Sequence, residues 1–354
     1  MLDISPVLGS FFSKPLWLSL IVSLAMIPIL KLPAKKLGLV DHPGGRKQHT
    51  IIAALVGGPA IIIAFYASMF AFTPAEEANG MLVAVGCLFI IGLIDDKFDI
   101  SAVVRLILQT AIIGTALWYD NIWLYEIPFT SNFSLQLSYA AYPITIIVML
   151  ALKNAINMLD GLDGLTSGVS LITLGFLIGI ATISNNEHVL IISTALFGGL
   201  LGFWAFNYRF SWRNKASIFL GDSGSMVLGF LLPYIAIKLS LDSSALTSPA
   251  LLIWLVAIPI WDIITVVIKR IRMKKSPMKA GRDHIHHTLM NAGLEVRQVL
   301  HLVYLLSIAA ASLGLVMVYL GFSATESYFL YVIGLGLYIQ RINSLDRRNN
   351  VTIP

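Results

Sequence analysis

Two amides and two carboxylates recur at three-residue intervals in Asn154-Ala-Ile-Asn-Met-Leu-Asp-Gly-Leu-Asp-Gly-Leu-Thr-Ser-Gly168. They are Asn154, Asn157, Asp160 and Asp163, and long apolar runs flank them on both sides. On a helix each such step turns back by about 60°, so neighbours share a face but the full set does not. The spacing predicts Asn154 and Asn157 on the last turn of a helix, with Gly161 and Gly164 forming a bend that carries Asp160 and Asp163. Oxygen-bearing side chains on a glycine turn suit a hard cation or the amide and hydroxyl edges of a nucleotide. The plainer reading is a polar turn between two membrane helices. Ionisable groups at membrane depth weigh against it.

Four further clusters have the same character. Gly38–His49 contains Pro43-Gly-Gly45, a turn signal, followed by Arg46, Lys47 and His49. Those three could meet a phosphate, or simply lipid headgroups. Asp95, Asp96 and Asp99 crowd the end of an apolar run, with Arg105 at the start of the next. Crowded acids repel unless a cation is near, so they suit a divalent metal or a general base. Arg105 suits an anion such as a diphosphate; a salt bridge to Asp99 is the structural alternative. Asp222, in Gly221-Asp-Ser-Gly224, opens an apolar helix that Ser223, Ser225 or Asp222 itself could cap. Exposed amides there attract anions, and Asp222 could hold a metal bridging to them. Arg282-Asp-His-Ile-His-His287 brings three histidines together for phosphate or sugar contact. No cysteine accompanies them, and a zinc site would need ligands from elsewhere. Asp262 lies within an apolar run, where an acid usually faces the bundle interior.

The elements that must position these residues are membrane helices. Of 354 residues 57% are hydrophobic and 12% charged, and the mean hydropathy is +0.82. A soluble domain would carry about 25% charge. The chain reads as one all-α polytopic membrane domain, 1–354. Eleven apolar runs qualify as spans: Ser10–Leu30, Ile52–Phe72, Met81–Ile94, Val103–Trp118, Tyr139–Leu152, Leu165–Ile183, Val189–Phe206, Met226–Ile237, Leu251–Ile268, Val299–Leu320 and Tyr328–Ile339. With the N-terminus periplasmic and the C-terminus cytoplasmic, all the Lys and Arg residues except Lys14 and Lys238 fall on the inner side. Every polar cluster above then shares the cytoplasmic face. The net charge of +5 is thus topology and not a sign of nucleic acid. Asp120–Gln136 reads as an interfacial hairpin or short strands, while Asn207–Arg209 and Trp212–Lys215 read as interfacial. The lone Cys87 excludes an internal disulfide. The N-terminus reads as a retained first span.

Many carboxylates, several cations and glycine turns at one lipid boundary fit phosphoryl transfer from a soluble diphosphate to a lipid phosphate, with magnesium offsetting phosphate charge. A cation-coupled transporter is the competing class. It should place its acids at mid-membrane and show two related halves.

The pieces Asp95-Asp-Lys-Phe-Asp99, Asn154–Gly164, Phe219-Leu-Gly-Asp-Ser-Gly-Ser225 and His284-Ile-His-His287, in that order, resemble the polyprenyl-phosphate N-acetylhexosamine-1-phosphate transferase family. The first loop is similar to the branch that uses UDP-GlcNAc. The branch acting on UDP-MurNAc-pentapeptide usually carries three consecutive histidines, which this chain lacks. The resemblance implies a bacterial inner-membrane enzyme that transfers GlcNAc-1-phosphate from UDP-GlcNAc to undecaprenyl phosphate, releasing UMP and starting O-antigen or enterobacterial common antigen synthesis. Another UDP-sugar such as UDP-GalNAc is the alternative donor. The resemblance also implies Mg²⁺ or Mn²⁺, held by Asp222 with Asn157 beside it. It assigns Asp163 to the uracil, Arg105 to the diphosphate, and Arg282, His284, His286 and His287 to phosphate or sugar. Asp95 and Asp96 would act on the lipid phosphate or the metal, and Asp160 belongs to the motif. Lys47, His49, Asp99 and Asn154 complete the expected substrate contacts. The partners implied are the two substrates and the bilayer, with a homodimer as the assembly to test.

Overall fold

A computed structural model describes residues 5–41, 53–74, 79–98, 100–130, 132–213, 215–242, 244–276 and 281–351. The candidate residues Lys47, His49 and Asp99 lie outside these. The described chain is mostly helical. In order it forms α1 (Ser5–Ser10), α2 (Lys14–Lys36), β1 (Val40–Asp41), β2 (Ala53–Ala54), α3 (Gly57–Phe72), α4 (Asn79–Phe98) and α5 (Ala102–Tyr119). There follow β3 (Glu126–Thr130), β4 (Phe133–Gln136), α6 (Ala141–Leu159), α7 (Leu165–Ile183), α8 (Glu187–Asn207) and α9 (Gly221–Ser240). The remainder is α10 (Pro249–Leu255), α11 (Ala257–Arg272), α12 (Ile285–Asn291), α13 (Val296–Tyr319) and α14 (Ala324–Val351).

Among the described residues the apolar runs lie mostly on helix, although Ile52–Phe72 includes the strand β2 before α3 begins at Gly57. Among the described helices seven are long and apolar enough to cross a membrane, or eight with α10 and α11 taken as one bent span. The chain is a multi-pass membrane protein. Two runs are interrupted. Ser10–Leu30 breaks between α1 and α2, where Pro15 fits a first helical turn but not a helix interior. Leu251–Ile268 bends by 78° at Val256. There Pro259 has no N–H for the Leu255 carbonyl one turn back. Asp120–Gln136 does form a hairpin, with β3 and β4 antiparallel. The histidine segment carries the short helix α12.

The chain forms two compact units, 1–125 with 138–242 and 126–137 with 243–354. In the first, α9 is buried along almost its whole length and packs on α3, α4 and α6. On the other side α2 packs on α8 through small residues. Ser19 Oγ donates to the Ala195 carbonyl at 2.6 Å and Ser23 Oγ to that of Gly199 at 2.8 Å. Without water, such interhelical bonds and close backbone approach hold membrane helices together. In the second unit α10, α11, α13 and α14 pack together, and Trp254, Trp261, Tyr331 and Tyr338 form an aromatic chain.

Candidate active site

The first unit builds its polar centre around the start of α9. A helix N-terminus leaves backbone N–H groups without intrahelical partners. Gly221 adopts φ +75°, in the left-handed region, and the N-cap Leu220 supplies no side-chain acceptor. Asp96, from the end of α4, takes that role. Its Oδ1 accepts from Asp222 N at 2.7 Å and its Oδ2 from Ser223 N at 3.1 Å. Neither serine caps the helix, as the sequence had suggested, and neither does Asp222.

Close packing permits this grip. A Cβ on Gly92, one turn before Asp96, would fall 2.3 Å from Ser223 Cα. A Cβ on Gly58 of α3 would fall 2.5 Å from Gly224 N. The loop before α9 is stitched to the α3 start by Gly57 N to the Phe219 carbonyl at 3.0 Å and Gly58 N to that of Leu220 at 2.9 Å. The Asp222 backbone is therefore fixed from two helices.

A third helix reaches the same carboxylate. Asn157, on the last turn of α6, donates Nδ2 to Asp222 Oδ1 at 3.1 Å and to Ser225 Oγ at 2.6 Å. Asn154 lies one turn earlier and accepts from Lys153 Nζ at 3.3 Å. Asp160 is the C-cap of α6, exposed, and in electrostatic range of Asp222, Asp163 and Asp96. Gly164 then turns the chain with φ +88° into α7, so the bend expected from the glycines is present.

Asp95 and Asp163 are partnered too. Buried Asp95 pairs with Arg105 Nη1 and accepts from Ile100 N at 2.8 Å. The structural alternative for Arg105 is thus a bridge to Asp95. Asp163 Oδ2 accepts from Arg209 Nε at 2.8 Å and from Ala216 N at 3.1 Å. Buried Asn207 accepts from Gly164 N at 2.7 Å and donates to the Ile218 carbonyl at 2.9 Å. Asn207 is a staple between two loops of the site and Arg209 holds Asp163, roles that the interfacial reading of this segment did not assign. A single polar residue at a helix end gives no sequence signal for such a role. The unit thus gathers Asp95, Asp96, Arg105, Asn154, Asn157, Asp160, Asp163 and Asp222 at one end of its bundle.

The second unit organises the histidines by itself. Buried Asp262, near the start of α11, has its Oδ2 2.7 Å from His284 Nδ1, and its Oδ1 accepts from Ile285 N at 2.7 Å. Asp283 receives Arg270 Nε at 2.7 Å and Nη2 at 2.6 Å. Burial pushes the Asp283 carboxyl up, but the Arg270 guanidinium outweighs it and holds the group below the usual carboxylate range. His286 is buried, and neither ring nitrogen has a hydrogen-bond partner among the described residues. Burial, with the neighbouring His287 and His284, holds its pKa down at about 3, so it is neutral at physiological pH. Arg282 is exposed. The sequence had flagged Asp262 and the histidines separately; the structure joins them through His284 Nδ1 and Ile285 N.

Comparison with known proteins adds the family. The glycosyl transferase family 4 model matches residues 78–240. A protein of Bacillus subtilis (strain 168), named probable undecaprenyl-phosphate N-acetylglucosaminyl 1-phosphate transferase, is 34% identical over 81% of this chain and 80% of its own length. The chain belongs to the polyprenyl-phosphate N-acetylhexosamine-1-phosphate transferases. The undecaprenyl-phosphate alpha-N-acetylglucosaminyl 1-phosphate transferase of Escherichia coli (strain K12) is 32% identical over 81% of this chain and 78% of its own length. The protein of that name from Yersinia pestis is 30% identical over 83% and 81%. The family segment contains all eight of the gathered residues in the first unit.

Proposed function

We propose that this protein transfers GlcNAc-1-phosphate from UDP-GlcNAc to undecaprenyl phosphate, giving GlcNAc-diphosphoundecaprenol and UMP. The observation that carries the reading is the interlock of Asp96, Asn157 and Asp222 from three helices at one end of a membrane bundle. The relatives' names supply the substrate classes. On the eleven-span reading this end faces the cytoplasm, and the split of basic residues supports that side. The product would begin O-antigen or enterobacterial common antigen lipopolysaccharide.

The donor set fits a hard divalent cation. Among the described residues no three His, Cys, Asp or Glu side chains could hold a metal between them. Magnesium does not need that, since one or two carboxylates plus substrate phosphates suffice. Asp222 would hold it, and Asn157, whose Nδ2 is engaged, keeps Oδ1 for the same ion. When bound, Mg²⁺ offsets the charge that builds on the departing UMP.

In the step itself an oxygen of the lipid phosphate attacks the β-phosphorus of UDP-GlcNAc. The bond from that phosphorus to the bridging oxygen breaks, and UMP leaves with the electron pair. A phosphate monoester is largely ionised at neutral pH, so no base is required. This agrees with the acids' surroundings: Asp96 is committed to the α9 amides and Asp95 to Arg105. Both position rather than deprotonate. Asp163, steadied by Arg209, is assigned to the uracil, and His284, steadied by Asp262, to phosphate or sugar.

The test is purified protein with a panel of UDP-sugars, with and without undecaprenyl phosphate. UMP release should need the lipid and be fastest with UDP-GlcNAc. A faster reaction with UDP-GalNAc would reassign the donor. A phosphosugar-labelled protein formed without lipid would replace direct attack by a covalent aspartyl step.

A further inference from the structure

Lys153 is a buried cation that the mechanism above does not use. It sits on α6, one turn before Asn157, and is 1% exposed. Its main chain and Cγ lie so close to α9 that a Cβ on Gly229 would fall 2.8–3.0 Å from them. The stem of the side chain is therefore trapped between the helices that carry Asn157 and Asp222.

Its charge is poorly answered. Nζ donates to the neutral Asn154 Oδ1 at 3.3 Å, and no carboxylate among the described residues lies within ion-pair distance of it. The charges that act on it are the Arg105 cation and the acids Asp222 and Asp95. Asp95 is already held by Arg105, and Asp222 accepts from Asn157. An ammonium taken out of water and lipid headgroups is costly unless an anion meets it. Placing it near a second cation adds to that cost. Lysine is a compact point charge with three donors, and Asn154 uses one of them.

We propose that Lys153 binds substrate phosphate: its ammonium, together with the Arg105 guanidinium, receives phosphoryl oxygens brought into the acid cluster. This rests on the transferase reading and deepens it. Two substrates offer that chemistry, the monoester of the lipid acceptor and the diphosphate of the nucleotide sugar.

The experiment uses the full-length protein in detergent, as wild type, Lys153→Met and Lys153→Arg. KM and kcat are measured for undecaprenyl phosphate and for UDP-GlcNAc in turn. UDP binding by calorimetry and Tm are measured alongside. Lys153→Met should raise KM for one substrate by about 10- to 100-fold, the loss of a hydrogen bond between charged groups. Its Tm should equal or exceed wild type, because a cation lacking a direct counter-ion is gone. Lys153→Arg should recover part of the KM. Weaker UDP binding assigns the contact to the nucleotide sugar, whereas a raised KM for undecaprenyl phosphate alone assigns it to the acceptor. Wild-type KM values for both substrates in Lys153→Met would overturn the proposal. So would a Lys153→Met that is less stable or unfolded beside a normal Lys153→Arg, which would make Lys153 a structural counter-charge for the acids. If wild type itself releases no UMP with lipid phosphate, the transferase reading fails; UDP binding by the two forms then decides separately whether Lys153 holds a phosphate.

Discussion

Asp96→Asn is the substitution whose outcome follows most directly from the geometry. Asp96 presents two carboxylate oxygens to two backbone N–H groups, at 2.7 and 3.1 Å, and so closes the start of α9. Asparagine keeps one acceptor and turns an NH₂ towards the other donor. One charge-assisted bond is lost and the survivor becomes neutral, a cost of about 1.5–3 kcal/mol. Because one of the two amides belongs to Asp222 itself, the loss falls on the aim of that carboxylate. If all of it reaches the transition state, kcat drops about 10- to 100-fold, at 1.4 kcal/mol per factor of ten. KM for UDP-GlcNAc should change little, and Tm should fall with kcat. The assay is steady-state UMP release with Tm on the same preparation. Wild-type kcat and Tm together would refute the positioning argument. An inactive Asp96→Asn with unchanged Tm would mean that Asp96 touches the reacting atoms.

Gly92→Ala adds a methyl where Ser223 backbone stands 2.3 Å away. It should cost about 1–3 kcal/mol of stability through forced separation of α4 and α9, read as lower Tm with lower kcat. Asp262→Asn should leave His284 less firmly oriented. A lower kcat and an altered pH profile are expected, with binding of UDP unchanged by calorimetry. His286 gives a pH effect of definite sign. Its folded pKa of about 3 lies below the ordinary histidine value of 6.5. Above pH 6.5 both states are neutral there. As pH falls from 6.5 towards 3 the unfolded chain gains a proton that the fold refuses, so stability is lost, about 2 kcal/mol by pH 5. Wild type should lose Tm between pH 7 and pH 5, and His286→Phe should lose measurably less.

The lesson about legibility lies in which residues spoke. Apolar runs are long-range averages over some twenty residues, so among the described residues most of their length fell on helix, with seven or eight helices long and apolar enough to span. The breaks at Pro15 and Val256 were missed because a run of hydropathy is blind to backbone geometry. The acids, amides and histidines announced themselves because polar and ionisable groups in an apolar chain are costly and few. Their partners did not. That Asp96 caps α9 across 126 residues, or that Asn207 joins two loops, depends on helix packing that no local pattern encodes. Gly58 and Gly92 looked like ordinary small residues of a span until the contact with the α9 start gave them a purpose.

The central claim is that Asp222, held by Asp96 and Asn157, is where the phosphosugar changes hands. The most direct measurement is UMP and lipid-linked GlcNAc formed from UDP-GlcNAc and undecaprenyl phosphate by wild type and Asp222→Asn at equal Tm. Wild type should give the two products one to one, and Asp222→Asn should give neither. Near-normal turnover by Asp222→Asn, or UMP formed by wild type without the lipid, would contradict it.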